Sequence, residues 1–233
     1  MINVQDDEQR PTGERADSGL AEGDVTSLIG AARILPVVVL ADPAGARPLA
    51  DALIAGGLRT AEVTFRTAAA ADAIAAMAAN PGMLVGAGTV LTVDQVDRAV
   101  DAGARFVVSP GFGPAVVRRC QQLSVPVFPG VSSATEIQMA LDAGLETVKF
   151  FPAEQLGGIG MVAALAAPFR SVRFIPTGGV NTANLADYLS NPAVLAVGGT
   201  WMVAPRLLDT GDWAEVTRLT RAAVDAARAI TAP

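Results

Sequence analysis

The sequence predicts a single-domain α/β fold, a closed (β/α)8 barrel (TIM barrel) of parallel strands alternating with helices. Eight short apolar runs alternate with segments of helical period, and each run is apolar throughout rather than at every second residue. Strands of parallel sheets covered by helices have such continuous runs. Eight strand–helix units in a row favour a closed barrel. An open, doubly wound sheet is the alternative, but the dinucleotide fingerprint of that fold is missing after the first strand.

The predicted strands are short runs of apolar, β-favouring residues: Arg33–Leu40, Thr60–Phe65, Met83–Gly88, Arg105–Val108, Val125–Pro129, Thr147–Phe151, Val172–Pro176 and Val194–Val197. The predicted helices lie between and after them and are rich in alanine: Pro43–Gly56, Ala68–Asn80, Thr92–Ala102, Gly113–Gln122, Ser133–Ala143, Gly160–Ala167, Asn181–Leu189 and Asp212–Ile230.

Two regions differ in composition. Residues 1–25 are polar, acidic and without periodicity, which predicts a flexible N-terminal tail. Residues 26–233 contain all the strand–helix units and no internal linker rich in Pro, Gly or Ser, so we expect one barrel domain.

Composition excludes several classes of function. The 233 residues are 51% hydrophobic, enough for a large core, and the net charge of -6 with a pI near 4.7 argues against a nucleic-acid partner. No apolar run approaches the roughly 20 residues of a membrane span, and no signal-peptide pattern is present. Cys120 is the only cysteine, so an internal disulfide is excluded and a reducing, cytoplasmic location is expected.

Histidine is absent from the whole sequence. This excludes histidine-based triads, histidine general bases and the usual imidazole-containing metal sites, so we expect no metal. Acid–base chemistry must come from carboxylates, lysine, hydroxyl groups or bound water.

Lys149 is the only lysine, against 16 arginines, and it lies in an apolar run that ends at Pro152. Burial lowers the pKa of a lysine, whereas arginine stays protonated, so a lone strand lysine suggests an imine-forming amine. The alternative is a strand-end lysine whose stem packs in the core and whose ammonium group reaches water.

Polar residues collect where the predicted strands end, which is where barrels of this class carry their chemistry. The period of two places Glu62, Thr64 and Arg66 on one face of the second strand. Glu62 and Arg66 are either a buried ion pair or a general base beside a guanidinium that binds a carboxylate.

Glycine pairs follow the last two predicted strands, Gly178–Gly179 and Gly198–Gly199. Glycine lets backbone N–H groups approach an anion, and a helix N-terminus adds partial positive charge. The pairs therefore predict a phosphate site, although each could also serve only to turn the chain tightly.

Five segments together resemble the 2-keto-3-deoxy-6-phosphogluconate aldolase and 4-hydroxy-2-oxoglutarate aldolase family, in order along residues 34–230: residues 57–67 (GLRTAEVTFRT), 85–90 (VGAGTV), 109–111 (SPG), 148–154 (VKFFPAE) and 176–179 (PTGG). The family is one of trimeric class I aldolases with a (β/α)8 barrel, and it needs no cofactor. The resemblance implies a phosphorylated 2-keto-3-deoxy sugar acid as substrate and pyruvate as a product.

The resemblance also implies roles for individual residues. Lys149 would form the Schiff base and Glu62 would be the general acid/base. Arg66 and Thr89 would hold the pyruvyl carboxylate and neighbouring oxygens, and Thr177 occupies the position that bears on C4 stereochemistry, where threonine is typical of the gluconate enzyme. The phosphate group would be held by Gly178, Gly179, Gly198, Gly199 and Thr200. Thr200 departs from the serine of the family pattern but keeps the hydroxyl group.

Four alternatives remain open from sequence. The enzyme could prefer the galactonate epimer, it could act mainly on 4-hydroxy-2-oxoglutarate, it could be a metal-dependent pyruvate aldolase, or the chain could be a barrel that binds sugar phosphates without turnover. Arg33, at the start of the first strand, could contact the substrate carboxylate or phosphate, or pair with Glu62.

Overall fold

The computed structural model describes residues 22–230, which form a closed barrel of parallel strands surrounded by helices. The predicted (β/α)8 architecture is confirmed. Neighbouring strands pair in parallel register. Examples are Thr60↔Leu84, between the second and third strands, and Lys149↔Ile175, between the strand of Lys149 and the strand that follows it.

The strands are β1 (Ile34–Val38), β2 (Thr60–Thr64), β3 (Leu84–Gly88), β4 (Val107–Val108), β5 (Val127–Phe128), β6 (Gly130–Val131), β7 (Thr147–Phe150), β8 (Arg173–Pro176) and β9 (Val197–Gly199). They form two sheets, in the orders β5-β4-β3-β2-β1-β9 and β6-β7-β8. Single bridges, Phe174↔Val194 and Thr177↔Gly198, join β8 to the segment of β9 and close the barrel on one side.

Pro129, the last residue of the fifth predicted strand, separates β5 from β6, which lies beyond the predicted strand. Proline has no N–H group for a strand ladder, so the pairing moves from β4 to β7 at this residue. The Pro129 carbonyl group still accepts the Lys149 N–H (2.9 Å), and the strand therefore continues the barrel across the division.

The helices are α1 (Glu22–Ala32), α2 (Ala46–Gly56), α3 (Ala70–Ala78), α4 (Val93–Asp101), α5 (Pro114–Gln122), α6 (Ala134–Asp142), α7 (Gly158–Ala166), α8 (Leu185–Leu189), α9 (Pro205–Thr210) and α10 (Trp213–Ala229). Side-chain oxygens of Thr92, Ser133 and Asp212 cap the N-termini of α4, α6 and α10. Among the described residues, none of these helices has the length and hydropathy that crossing a membrane requires.

Two helices are absent from the sequence prediction. Helix α9 follows the last strand, and α1 precedes the first one and begins inside the predicted tail of residues 1–25. Residues 22–25 are therefore helical, and the rest of the predicted tail lies outside the described residues, as do residues 231–233 of the predicted barrel domain.

The core has two parts. The larger part lies between the strands and the surrounding helices, and it includes Cys120. Burial raises the pKa of the Cys120 thiol to about 12. The smaller part fills the barrel interior, where Phe106 and Phe128 pack with ring centroids 5.9 Å apart. Helix α1 closes the end of the barrel at which the strands begin, with Val25 and Ile29 fully buried in this interior cluster.

Arg33 joins the two ends of the described chain. Its guanidinium group donates to the carbonyl groups of Leu189 (2.8 Å), Ala227 (2.7 Å) and Ile230 (2.5 Å), at the ends of α8 and α10. The last carbonyl groups of a helix lack partners within the helix, and a cation there also complements the helix dipole. The sequence leaves the role of Arg33 open, and the structure gives it a position at these helix ends rather than beside Glu62 or in the cavity.

Candidate active site

Lys149 lies in β7 with its side chain inside the barrel. Its neighbours Val148 and Phe150 belong to the core between strands and helices, so the period of two sends Lys149 to the opposite face. The side chain is only 6% exposed, which excludes the alternative of a lysine with its ammonium group in water. Lys149 Nζ lies 5.4 Å from the centroid of the Phe151 ring.

Glu62 is the ion-pair partner of this lysine. Its side chain is 1% exposed, and its Oε1 lies 3.1 Å from Lys149 Nζ. A buried charge of either sign is strongly disfavoured without a partner, so each group makes the burial of the other possible. The alternative of a buried pair between Glu62 and Arg66 is wrong, since Glu62 pairs with Lys149 instead.

Glycines in β3 make room for the Glu62 carboxylate. A side chain at Gly88 would place its Cβ atom 2.1 Å from Glu62 Oε1, and one at Gly86 would lie 2.1 Å from the Phe106 ring. Both positions face the barrel interior, because the residue between them, Ala87, packs in the outer core. The run Gly86-Ala87-Gly88 therefore provides the space in which the carboxylate reaches Lys149.

A cavity of about 430 Å³ opens above the ion pair, at the end of the barrel where the strands terminate. Its lining includes Val37, Thr64, Arg66, Thr89, Pro110, Lys149, Phe151, Thr177, Gly178, Gly179, Val180, Gly198, Gly199 and Thr200. Glu62 is not part of this wall, because it lies beneath Lys149. Every other residue to which the family resemblance assigns a role lines the cavity.

The two predicted carboxylate-binding residues differ in their surroundings. Arg66 follows the end of β2 and is exposed, and its guanidinium group makes no hydrogen bond or ion pair with residues 22–230. Thr89 follows β3 with φ of +55°, in the left-handed region that β-branched residues rarely adopt. Backbone strain of this kind concentrates at functional sites. Arg66 therefore has its donors available for an anion, and Thr89 is held against the cavity at a conformational cost.

The glycine pairs lie on the other side of the cavity. Gly178 and Gly179 have φ values of +100° and +85°. A side chain at Gly198 would lie 2.2 Å from Thr177 Oγ1, and one at Gly199 would lie 1.8 Å from the Trp201 ring. These glycines therefore serve close packing as well as backbone access, which combines the two interpretations left open by the sequence.

The expectation that helix N-termini add positive charge beside the glycine pairs is wrong. The helix after Gly178–Gly179, α8, has five residues and begins only at Leu185, and Gly198–Gly199 lead into the short 3-10 turn Trp201–Val203. A substantial helix dipole needs several aligned turns at the ligand. The glycines that line this part of the cavity therefore lie in a loop and at the end of β9, and not at a helix terminus.

Several lining residues are missing from the sequence prediction. Phe151, Pro110, Val37 and Val180 carry no polar group that would mark them, although Phe151 follows Lys149 by two residues and so shares its face. Thr64 shares the face of Glu62, and its hydroxyl group donates to the Val38 carbonyl group (2.8 Å).

The comparisons with known proteins agree with each other. A family model described as "KDPG and KHG aldolase" matches residues 25–219. The 2-dehydro-3-deoxy-phosphogluconate aldolase of Treponema pallidum (strain Nichols) is 55% identical over 190 residues, which cover 81% of this chain and 90% of that protein.

Two solved structures are similar over nearly their whole length. The 2-keto-3-deoxy-6-phosphogluconate aldolase of Zymomonas mobilis ZM4 with 3-phosphoglycerate has a TM-score of 0.83 and 41% identity, covering 91% of this chain and 98% of that one. The KDPG aldolase of Legionella pneumophila, with pyruvate captured at low pH as a covalent carbinolamine intermediate, has a TM-score of 0.82 and 40% identity, covering 85% of this chain and 97% of that one.

Proposed function

The chain belongs to the KDPG and KHG aldolase family, and on that premise we propose that it is a class I, Schiff-base aldolase. It cleaves 2-keto-3-deoxy-6-phosphogluconate to pyruvate and glyceraldehyde 3-phosphate, the cleavage step of the Entner–Doudoroff pathway, and acts on 4-hydroxy-2-oxoglutarate as a second substrate. The observation that carries the proposal is the sole lysine of the chain, buried in the barrel 3.1 Å from Glu62 and open to the cavity.

The reaction begins at Lys149. Its neutral amine attacks the C2 ketone, and loss of water gives an iminium ion. Glu62 is close enough to take the proton that the ammonium group must lose before this attack. It returns this proton to the carbinolamine hydroxyl group, which leaves as water, and Glu62 is a carboxylate again. The Phe151 ring beside Nζ favours the cationic iminium ion, because the face of an aromatic ring attracts a positive charge.

Bond cleavage follows from the iminium ion. Glu62, acting through a water molecule because it lies beneath the cavity wall, accepts the proton of the C4 hydroxyl group. The C3–C4 bond breaks, and its electron pair becomes the C2=C3 double bond of an enamine while the C=N π pair moves to nitrogen. Glyceraldehyde 3-phosphate then leaves. Protonation at C3 and hydrolysis of the resulting imine release pyruvate and return the amine of Lys149.

The remaining site residues hold the two ends of the substrate. Arg66 and Thr89 bind the carboxylate group, for which the guanidinium group of Arg66 has free donors. At the opposite end of the cavity Gly178, Gly179, Gly198, Gly199 and Thr200 bind the phosphate group. Thr177, which lines the same cavity, contacts the region of C4.

Borohydride reduction in the presence of pyruvate tests this proposal. Because the chain has one lysine, the only other amine is the N-terminal one, and intact mass should show one reduced pyruvyl group, mapped to Lys149. The matched variant Lys149→Arg keeps the positive charge beside Glu62 but forms no imine, so it should show no specific adduct and no cleavage. Retention of the adduct or of turnover in this variant would sink the class I mechanism.

Substrate preference and the non-catalytic alternative need a second assay. We expect cleavage of the gluconate compound to exceed that of its C4 epimer, since pocket contacts set such preferences. The opposite order would make the chain a galactonate-type aldolase, and absence of turnover on both epimers and on 4-hydroxy-2-oxoglutarate would leave a binding protein.

Assembly and location complete the proposal. The protein is a cytoplasmic homotrimer, as the family resemblance implies. Several large apolar side chains are exposed on one chain, including Leu91 (60%), Val93 (40%), Met139 (37%) and Met161 (40%), and burial between subunits would remove them from water. Light scattering coupled to gel filtration tests this, and a monomer in solution would contradict it.

A further inference from the structure

The loop after β8 contains two consecutive peptide groups whose direction is fixed from outside the cavity. Gly178 and Gly179 both have left-handed backbones, which glycine adopts without steric cost. The same freedom makes their peptide groups easy to rotate, so a loop of this kind presents fixed N–H groups only if other atoms hold its carbonyl groups.

The Gly179 carbonyl group is held by two asparagines. It accepts hydrogen bonds from Asn181 Nδ2 (3.0 Å) and Asn184 Nδ2 (3.2 Å). Each side-chain amide is itself oriented, because Asn181 Oδ1 accepts from the Ala183 N–H and Asn184 Oδ1 accepts from the Asn181 N–H, both at 2.8 Å. Every hydrogen bond in this cluster therefore acts on the direction of the peptide group between Gly179 and Val180.

The preceding peptide group is held from the segment after the lysine strand. The Gly178 carbonyl group accepts from the Glu154 N–H at 3.0 Å. The Glu154 side chain packs beneath the loop, where a Cβ atom on Gly179 would lie 2.4 Å from Glu154 Cγ, and its carboxylate accepts the hydroxyl group of buried Tyr188 on α8. Glu154 and Tyr188 thus fix the support on which the loop lies.

These bonds determine where two N–H groups point. In a planar trans peptide the carbonyl group and the following N–H point in opposite directions. The Gly178 and Gly179 carbonyl groups are directed at Glu154 and the asparagines, so the Gly179 and Val180 N–H groups point the other way. Neither donates to an acceptor within residues 22–230, and both residues line the cavity.

We propose that Asn181 and Asn184 are positioning residues that aim the Gly179–Val180 peptide N–H at the phosphate group of the substrate. Neither asparagine needs to touch the ligand. They act by holding the Gly179 carbonyl group, which removes the rotational freedom that binding would otherwise have to restrict. The proposal rests on the proposed function, because it assumes a phosphorylated substrate in this cavity.

Single substitutions test the proposal on two substrates. Asn184→Ala and Asn181→Ala each remove a donor to the Gly179 carbonyl group. Asn181 is exposed and Asn184 half-buried, so neither substitution opens a cavity in the core. We expect KM for the phosphorylated substrate to rise about tenfold in Asn184→Ala, as the loss of one such bond allows. The ratio kcat/KM for 4-hydroxy-2-oxoglutarate, which has no phosphate group, should change less than about twofold.

Asn191→Ala is the matched control. Asn191 lies after the other end of α8, where its Oδ1 accepts from the Ala193 N–H (2.9 Å), and it does not line the cavity. Its KM values should equal those of the wild type. Inhibition by inorganic phosphate, measured with 4-hydroxy-2-oxoglutarate as substrate, should weaken in Asn184→Ala and Asn181→Ala and not in the control.

The outcomes separate this proposal from the function on which it rests. Equal losses on both substrates, or phosphate inhibition that stays at the wild-type value, overturn the positioning role of the asparagines while leaving the aldolase activity. Wild-type protein that cleaves neither substrate overturns the proposed function and the positioning role together.

Discussion

Gly88→Ala is the sharpest test of how the barrel places its acid–base group. The new Cβ atom would lie 2.1 Å from Glu62 Oε1 and 2.4 Å from Glu62 Cγ, so it falls short of an ordinary 3.4 Å contact by about 1.3 Å. The alanine Cβ is fixed to strand β3, and the strand pairs with β2 over five residues. The Glu62 carboxylate must therefore leave its place, and its Oε1, the atom nearest the new Cβ, is also the atom that pairs with Lys149.

The size of the effect follows from this displacement. A misplacement of about 1 Å in a catalytic group can cost on the order of 10²-fold in rate. We expect kcat for the phosphorylated substrate to fall about a hundredfold, while borohydride with pyruvate still traps an adduct on Lys149. Overpacking of the interior should also cost about 1–3 kcal/mol of unfolding free energy, to be measured by urea denaturation.

Gly111→Ala is the control for this experiment. Gly111 lies next to the cavity residue Pro110, and a Cβ atom there would meet nothing within 4 Å. Its kcat should stay at the wild-type value. A folded Gly88→Ala variant with kcat within about threefold of wild type would refute the assignment of Glu62 to proton transfer, since the carboxylate could not have kept its place.

Three further predictions concern stability and reactivity. Arg33→Met should lower the unfolding free energy, measured by urea denaturation, by about 2–4 kcal/mol, because three helix-end carbonyl groups lose a charged donor. The value of kcat should not change, and an unchanged midpoint of the urea transition would contradict the prediction. Burial and the hydrogen bond to Glu154 raise the pKa of Tyr188, so its ionisation costs stability only above the unfolded pKa of about 10. Wild-type stability should therefore fall above that pH more steeply than that of Tyr188→Phe, and parallel curves would refute the shift. Cys120, with a thiol pKa of about 12, should react with iodoacetamide at pH 8 only after unfolding; rapid labelling of folded protein would show that it is accessible.

The architecture could be predicted from the sequence because each strand is a short run that is apolar throughout. Parallel strands that are covered by helices have such runs. Helix α1 is not readable in this way. Its buried residues Val25 and Ile29 are too few to mark a helical face by themselves. They become part of the fold only because the open end of a closed barrel needs an apolar cover, and closure is a property of the whole chain.

The same division holds for the site. Lys149 and Glu62 are readable because charged residues in apolar strands are rare and costly, and the period of two gives their face. The role of Gly88 is not readable, since a strand glycine has the same appearance whether it relieves a clash or permits a bend. Arg33 is hidden for another reason: its partners are main-chain carbonyl groups, which leave no trace in the sequence.

The contacts of Arg33 also set an order of events during synthesis. Its three acceptors lie 156 to 197 residues later in the chain. A ribosome delivers residues from the N-terminus at roughly 5–20 per second, so Arg33 emerges many seconds before the residues that complete its coordination. Until residues 197–199 have been made, β1 also lacks its partner β9. The pairing of β1 with β9 and the last hydrogen bond of Arg33, to Ile230, therefore both wait for the final part of the chain.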